Sequence, residues 1–386
     1  MELVFDIETD GLYFDATKIW CLVAIDENNK VYSYTQENIK EGIDLLKSAD
    51  KIIGHNIIGF DLPVIKKMTN VDLYKHTKVI DTLTLSRLLN PTREGGHSLE
   101  KWGYKLSYFK SDKPDFEKFN EAMLEYCIRD VKLNKLVLEK LREDSVGFSK
   151  ECIELEHEVC RILQQQYETG FLFNEKNAML LLASLNKRKS EVEKEVHETF
   201  KPKWVDVKEV IPKLKKDGTL SKSGLTKLEY EERVNTNDTI PFMRKELKEF
   251  NLGSRQQIGL YLKDFGWKPK RFTPTGQPIV DEGTLKKITH IHEAQLIAEY
   301  LLLQKRAAQV ESWIDACHED TRVHGSVMST GAITGRMTHR NPNMAQVPAV
   351  YSSYGKECRA CWTVPEGYKL VGIDASGLEL RMLAHY

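Results

Sequence analysis

The sequence predicts an α/β domain followed by a mainly helical region and then the first part of an α+β region. Three observations predict it. Short apolar runs separated by polar turns alternate with helical patterns over the first ~145 residues. Long amphipathic patterns take over from Ser145, and after His324 turns and extended segments return. The expected domains are 1–145, 146–320 with a basic insertion at 201–250, and 321–386.

In the first domain, Leu3–Ile7, Ile19–Ala24 and Lys30–Thr35 read as strands, with Lys51–Gly54 and Val79–Ile80 as further short buried ones. Helical patterns occupy Ile43–Ser48, Leu62–Met68, Leu83–Leu89, Leu99–Gly103 and Ala122–Leu141. The last carries Leu124, Cys127, Ile128 and Val131 at the i, i+3, i+4, i+7 spacing of one helix face. Ile153–Glu168 is amphipathic and stops at Gly170, and Asn174 reads as the cap of the next helix. Residues 201–250, with Pro202, Pro212, Gly218, Gly224 and Pro241 among lysines, read as an irregular insertion. Ser254–Leu262 and Thr284–Ile314 are helical again. A strand at Lys369–Ile373 and a helix start at Ser376–His385 close the chain.

Composition narrows the class. The 386 residues are 41% apolar and 29% charged, which is ordinary globular usage and excludes a disordered or fibrous chain. No apolar run is long enough to span a membrane, and seven scattered cysteines suit a reducing cytoplasm better than a disulfide scaffold. The net charge of −1 argues against coating nucleic acid through bulk charge. Its distribution is uneven, however. Residues 1–50 hold 11 acids against 4 bases, while 201–227 hold eight lysines against three acids. That pattern is compatible with a metal site in one domain and a phosphate-tracking surface in another, and equally with a solvated lysine face.

Asp6 and Glu8 stand two apart on a strand, so both carboxylates face one side. Asp61 follows a buried strand, and Tyr126 and Asp130 are i, i+4 neighbours on a helix. Four hard oxygen ligands from three segments suit a pair of Mg²⁺ ions. Two metals about 4 Å apart stabilise both an attacking water and a leaving oxygen, which is the chemistry of phosphodiester hydrolysis. Asp10, before Gly11, reads as a turn residue and Asp81 as a helix cap.

The set Asp6-x-Glu8, Asn56-x-x-x-Phe60-Asp61 and Tyr126-x-x-x-Asp130 resembles the DEDD 3′–5′ exonuclease superfamily, in the subclass with tyrosine at the fifth position. The resemblance implies an RNase H-like mixed sheet flanked by helices. It also implies two metal ions, Mg²⁺ with Mn²⁺ able to substitute, held by Asp6, Glu8, Asp61 and Asp130, with Tyr126 positioning water and Asn56 and Phe60 contacting DNA. His97–Tyr104 is similar to a stretch of phage proofreading domains.

The last ~65 residues carry Thr334-Gly335-Arg336, then Asn341–Pro348, then Asp374-x-Ser376-x-x-Glu379-Leu380-Arg381. The first two clusters offer guanidinium and amide donors for a nucleic-acid backbone. The third reads as a buried strand delivering Asp374 at its end. Together they resemble the family A DNA polymerases, most of all the short-tailed-phage branch. The resemblance implies Asp374 as a ligand of the polymerase metals, Glu379 at the nucleotide sugar, and Arg336, Asn343 and Gln346 on the primer–template. Cys358-x-x-Cys361 has metal-like spacing but no second pair, and Arg359 beside it is the expected DNA contact.

A family A polymerase continues past this point with a fingers helix and a second palm carboxylate. The chain to Tyr386 is therefore expected not to polymerise alone. The expectation is an exonuclease domain, thumb and incomplete palm, as a truncated product or as one half of a split enzyme completed by another chain. The substrates implied are a single-stranded 3′ end and a primer–template in the cytoplasm, of a bacterial host if the chain is phage-encoded. The insertion lies where some phage enzymes bind a thioredoxin processivity factor. The alternatives are a stand-alone exonuclease and a non-catalytic primer–template binding subunit.

Overall fold

A computed structural model describes residues 1–385, in two compact units. The first comprises 1–173, 316–349 and the residues from Trp362 on; the second comprises 174–315 and 350–361.

The first unit is built on a five-stranded sheet in the order β3-β2-β1-β4-β5. Strands β1 (Glu2–Thr9), β2 (Ile19–Asp26) and β3 (Val31–Thr35) form an antiparallel meander. Strands β4 (Lys51–Gly54) and β5 (Lys78–Asp81) run parallel to β1, after crossovers through α1 (Ile39–Ser48) and α2 (Asp61–Thr69). Alternation along β1 sends Leu3, Phe5 and Ile7 into a core with Ile43, Leu46, Leu62 and Ile65. Val4, on the opposite face, packs with Val23, Ile53, Met123, Cys127 and Val131 of α5 (Glu121–Asp144). That second face is also where Asp6 and Glu8 point. β2, covered on both sides, is buried over its whole length.

Helices α3 (Thr82–Leu89) and α4 (Leu99–Leu106) pack on α5 through Leu85, Trp102, Leu133 and Val137. The His97–Tyr104 stretch is a belt around this cluster. Trp102 donates to Ser86 at 3.2 Å, His97 meets the same hydroxyl at 2.9 Å, and the Arg93 guanidinium lies 4.1 Å over the Trp102 ring. Helix α6 (Lys150–Thr169) belongs to this unit and ends at Gly170, after which β6 (Phe171–Leu172) follows.

In the second unit α7 (Glu175–Thr199), capped by Asn174, packs along α11 (His292–Asp315), and Arg188 forks onto Glu299 at 2.7 and 3.1 Å. The insertion is only partly irregular. Its β7 (Lys203–Val210) and β8 (Phe242–Lys248) form an antiparallel ribbon around a short α8 (Lys227–Arg233). The prolines misled because Pro202, Pro212 and Pro241 flank the strands without interrupting them. The single helix expected over Thr284–Ile314 is two, α10 (Glu282–Leu285) and α11, after α9 (Arg255–Asp264). Short α12 (Gly355–Arg359) also lies here, with Cys358 and Cys361 buried as free thiols.

The remaining elements return to the first unit: β9 (Arg322–Val323) pairs with β6, and β10 (Ser326–Met328) pairs with β11 (Thr338–Arg340). The strand expected at Lys369–Ile373 is absent. Those residues are coil, with Val371 75% and Ile373 94% exposed, because no described strand pairs with them and no described apolar surface covers them. The helix start is present as α13 (Leu378–His385). Among the described residues no helix is long and apolar enough to cross a membrane.

Gly170 has φ 63° and ψ 174°, and a Cβ there would lie 2.7 Å from the ring of His324. That ring is itself held by the Tyr167 carbonyl at 2.6 Å and by Asp320 at 3.1 Å, so it cannot retreat. Gly170→Ala is expected to destabilise the protein by roughly 2 kcal/mol or more, read as a lowered chemical-denaturation midpoint.

Candidate active site

β4 pairs with β1 only over Glu2–Val4, so the half of β1 that carries Asp6 and Glu8 runs beyond its parallel neighbour. The backbone N–H of Ile7 is then free for another acceptor, and Asp61 takes it, Oδ1 accepting at 3.1 Å. This bond places the first residue of α2 against the strand between Asp6 and Glu8. From the other side α5 presents Tyr126 and Asp130 one turn apart, over the face to which Asp6 and Glu8 point. Asp61 and Asp130 are 3% and 4% exposed, while Asp6 and Glu8 are half-buried.

Burial raises the proton affinity of all four acids, and their charges add to it at Asp6 and Glu8. Burial pushes Asp6 well above the usual carboxylate range, and the charges of Asp61, Glu8 and Asp130 push it further. Glu8 is raised to about 8 by burial, then by Asp130 and Asp61. Asp61 is raised to about 7 by burial, against the pull of the Ile7 N–H. Asp130 is raised by burial, against the opposing charge of Lys110. One oxygen of Asp130, Oδ1, is buried with no partner. Such an orphan acceptor beside three other carboxylates fits a cation.

Ligand atoms of Asp6, Glu8 and Cys127 lie within 4.8 Å of one another. The Cys127 thiol is not a ligand for a hard cation. Burial pushes its pKa well up, and it donates to the Asp6 carbonyl at 3.6 Å and to the Asp6 carboxylate at 3.8 Å. Lys110, which sequence patterning did not single out, contacts Asp130 and lies 4.7 Å over the Tyr126 ring. It stands in a stretch between α4 and α5 with no regular structure and no periodic pattern, so no local signal marks it.

Asn56 adopts φ +68°, its N–H bonded to Asp81 at 3.0 Å, and Phe60 leads directly into Asp61. Both line a cavity of about 410 Å³ with Tyr13, Arg87, Tyr167 and Arg340. Asp81 lines it too, but its carboxylate is committed, accepting from the N–H groups of Asn56, Ile58, Leu83 and Thr84 as the cap of α3. Asp10 is equally committed to the turn, bonded to Thr17 and Lys18.

The carboxyl-terminal residues are not assembled in this way. Arg336 follows Gly335, φ +74°, in the turn between β10 and β11 and reaches Glu379 at 3.5 Å. Asn343 caps the short turn Met344–Gln346, which contains Gln346. Arg359 ends α12 in the second unit, and Asp374 is exposed on coil, not at the end of a buried strand.

Fold and acids together define an RNase H-type nuclease domain, and residues 3–108 match the model of the RNase H superfamily. Residues 224–386 match the model of DNA polymerase family A. The chain is 32% identical to the DNA-directed DNA polymerases of Enterobacteria phage T3 and Escherichia phage T7, alignments that cover all of it and 69% of each relative. It belongs to DNA polymerase family A, with an exonuclease-like domain and part of the polymerase domain. A shorter match, 32% identity over 36% of this chain and 16% of the relative, is to DNA polymerase I of Pseudomonas aeruginosa. Among solved structures, the POL domain of Pol1 from M. smegmatis, in complex with DNA primer-template and dNTP, shares the fold. Its TM-score is 0.71 at 15% identity, over 99% of this chain and 58% of that one.

Raised carboxylates have a stability consequence. Glu8 and Asp61 bind protons more tightly folded than unfolded, so their stabilisation is complete below about pH 4 and is lost as pH rises through about 7 and 8. The melting temperature of the metal-free protein is expected to fall from pH 5.5 to 8.5, and Glu8→Gln to flatten that fall. An unchanged slope in the variant means that Glu8 is not in the cluster.

Proposed function

We propose that this chain is the exonuclease-bearing part of a replicative polymerase and that it trims DNA from the 3′ end in the cytoplasm of the host cell. The observation that carries this reading is the set of four carboxylates with raised proton affinity, two of them buried and one with an orphan oxygen. Asp6, Glu8, Asp61 and Asp130 would hold the divalent ions, Mg²⁺ or Mn²⁺. Bound there, such ions supply an acidified water and charge neutralisation at the leaving oxygen.

The reaction adds water across the terminal phosphodiester. A water oxygen bonds to phosphorus, the bond from phosphorus to the 3′-oxygen breaks, that oxygen takes a proton, and a nucleoside 5′-monophosphate leaves. Tyr126, its ring edge-on to Phe116 at 6.2 Å, is fixed in orientation and its hydroxyl orients the water. Asn56 and Phe60, beside the cavity, hold the terminal nucleotide. Arg336, Asn343, Gln346 and Arg359 would contact primer–template, Glu379 would meet the nucleotide sugar, and Asp374 would help to hold the metals of polymerisation. That second activity also requires fingers and a second palm carboxylate, supplied by residues outside 1–386 on this chain or on a complementing one. The ribbon β7–β8 carries Lys203, Lys208, Lys245 and Lys248 and serves duplex phosphates or a thioredoxin-like factor.

Four measurements test the reading. A 3′-end-labelled single strand is expected to be shortened with Mg²⁺ and left intact with chelator. Asp6→Ala with Glu8→Ala is expected to abolish shortening; persistence in the double variant removes the acids from the mechanism, and absence in wild type favours a binding subunit. Tyr126→Phe is expected to slow hydrolysis by roughly ten- to a hundredfold while metal binding is retained. With a primed template and nucleotides, residues 1–386 alone are expected to give no extension.

A further inference from the structure

Lys110 puts an ammonium inside the acid cluster, in a position the hydrolytic reading does not require. The stretch that carries it is anchored. The Arg129 guanidinium donates to the Phe109 carbonyl and lies 4.9 Å over the Tyr108 ring, and the Tyr108 N–H bonds to Gly103 at 2.9 Å. Arg129 is the residue before Asp130 on α5, so the anchor and the target of Lys110 are adjacent. The Lys110 side chain is 22% exposed and that of Asp130 is 6% exposed, so the pair is largely withdrawn from water. Nζ contacts Oδ2 of Asp130, lies over the face of Tyr126, and acts by charge on Asp6 and Glu8 as well. The opposite oxygen of Asp130 is the orphan.

A divalent ion and this ammonium compete for the same carboxylate. Both neutralise the cluster, and an oxygen paired with Nζ is not available to a metal. We infer that Lys110 is a placeholder cation, which balances the acids when no divalent ion is bound and must release Oδ2 before Asp130 can hold one through both oxygens. The inference rests on the metal-binding reading of the four acids. It makes Lys110 a positioning residue acting through metal affinity. Two effects of removing it then have the same sign: the acids lose a neighbouring positive charge, and Asp130 loses an occupant.

The test is Mn²⁺ binding to the full chain, read from the resonance signal of free Mn²⁺, for wild type, Lys110→Met and Lys110→Gln. Both neutral variants are expected to bind Mn²⁺ roughly three- to tenfold more tightly. Lys110→Arg, which keeps the charge, is expected to stay within about twofold of wild type. Without metal the neutral variants melt below wild type, and saturating Mn²⁺ closes the gap. In an Asp130→Asn background the substitutions keep only their charge effect on Asp6 and Glu8, so the gain in affinity shrinks. Equal or weaker binding by the folded neutral variants overturns the inference, as does a wild type that binds no Mn²⁺ or a gain that is undiminished in Asp130→Asn. Shortening of a labelled strand is scored separately. Its absence with the affinity shift intact sinks the nuclease reading and leaves the placeholder standing.

Discussion

Carboxylates crowded into a desolvated spot repel one another, and the first unit holds four of them there against that repulsion. The restraint comes from apolar packing on both sheet faces, where each fully buried large side chain contributes about 1.5–3 kcal/mol. β2 is buried throughout, the outer face of β1 is locked under α1 and α2, and α5 is pinned by Cys127, Val131 and Leu138. Those contacts hold α5, and Asp130 with it, over the face that carries Asp6 and Glu8. Burial, with repulsion added at Asp6 and Glu8, leaves these carboxyls with raised proton affinity.

That rise is opposed locally by two different kinds of bond. Asp61 accepts a backbone N–H from the strand it faces, which fixes one acid without neutralising it. Asp130 receives a full charge from Lys110. Asp81, whose charge reaches Asp61, accepts four backbone N–H groups and is thereby spent on joining β5, the Asn56 loop and α3. Asp81 and Asp61 thus differ in how many backbone donors reach them, four against one.

Much of this was legible in the order of residues. Alternation along β1 put Asp6 and Glu8 on one face, helical spacing put Tyr126 over Asp130, and the position of Asp81 before Thr82 announced a cap. Local rules suffice for these because each depends on neighbours in the chain. Lys110 was not legible, since its meeting with Asp130 is set by a helix that begins eleven residues later and by an arginine on that helix. The ribbon β7–β8 was hidden by prolines at its borders. The strand expected at Lys369–Ile373 was read from apolar composition alone, and a strand also needs a hydrogen-bonded neighbour, which no described segment supplies.

The ribbon has a consequence for how such chains diversify. Lys203 at its entry pairs with Lys248 at its exit, so the excursion leaves the helical unit and rejoins it at one place. A module with abutting ends can be lengthened, shortened or exchanged for another while α7 and α9 keep their positions, because the entropy of closing a longer excursion grows only logarithmically. Variation between relatives is therefore cheapest at this graft point, where a new surface can be acquired without rebuilding the helices that carry it.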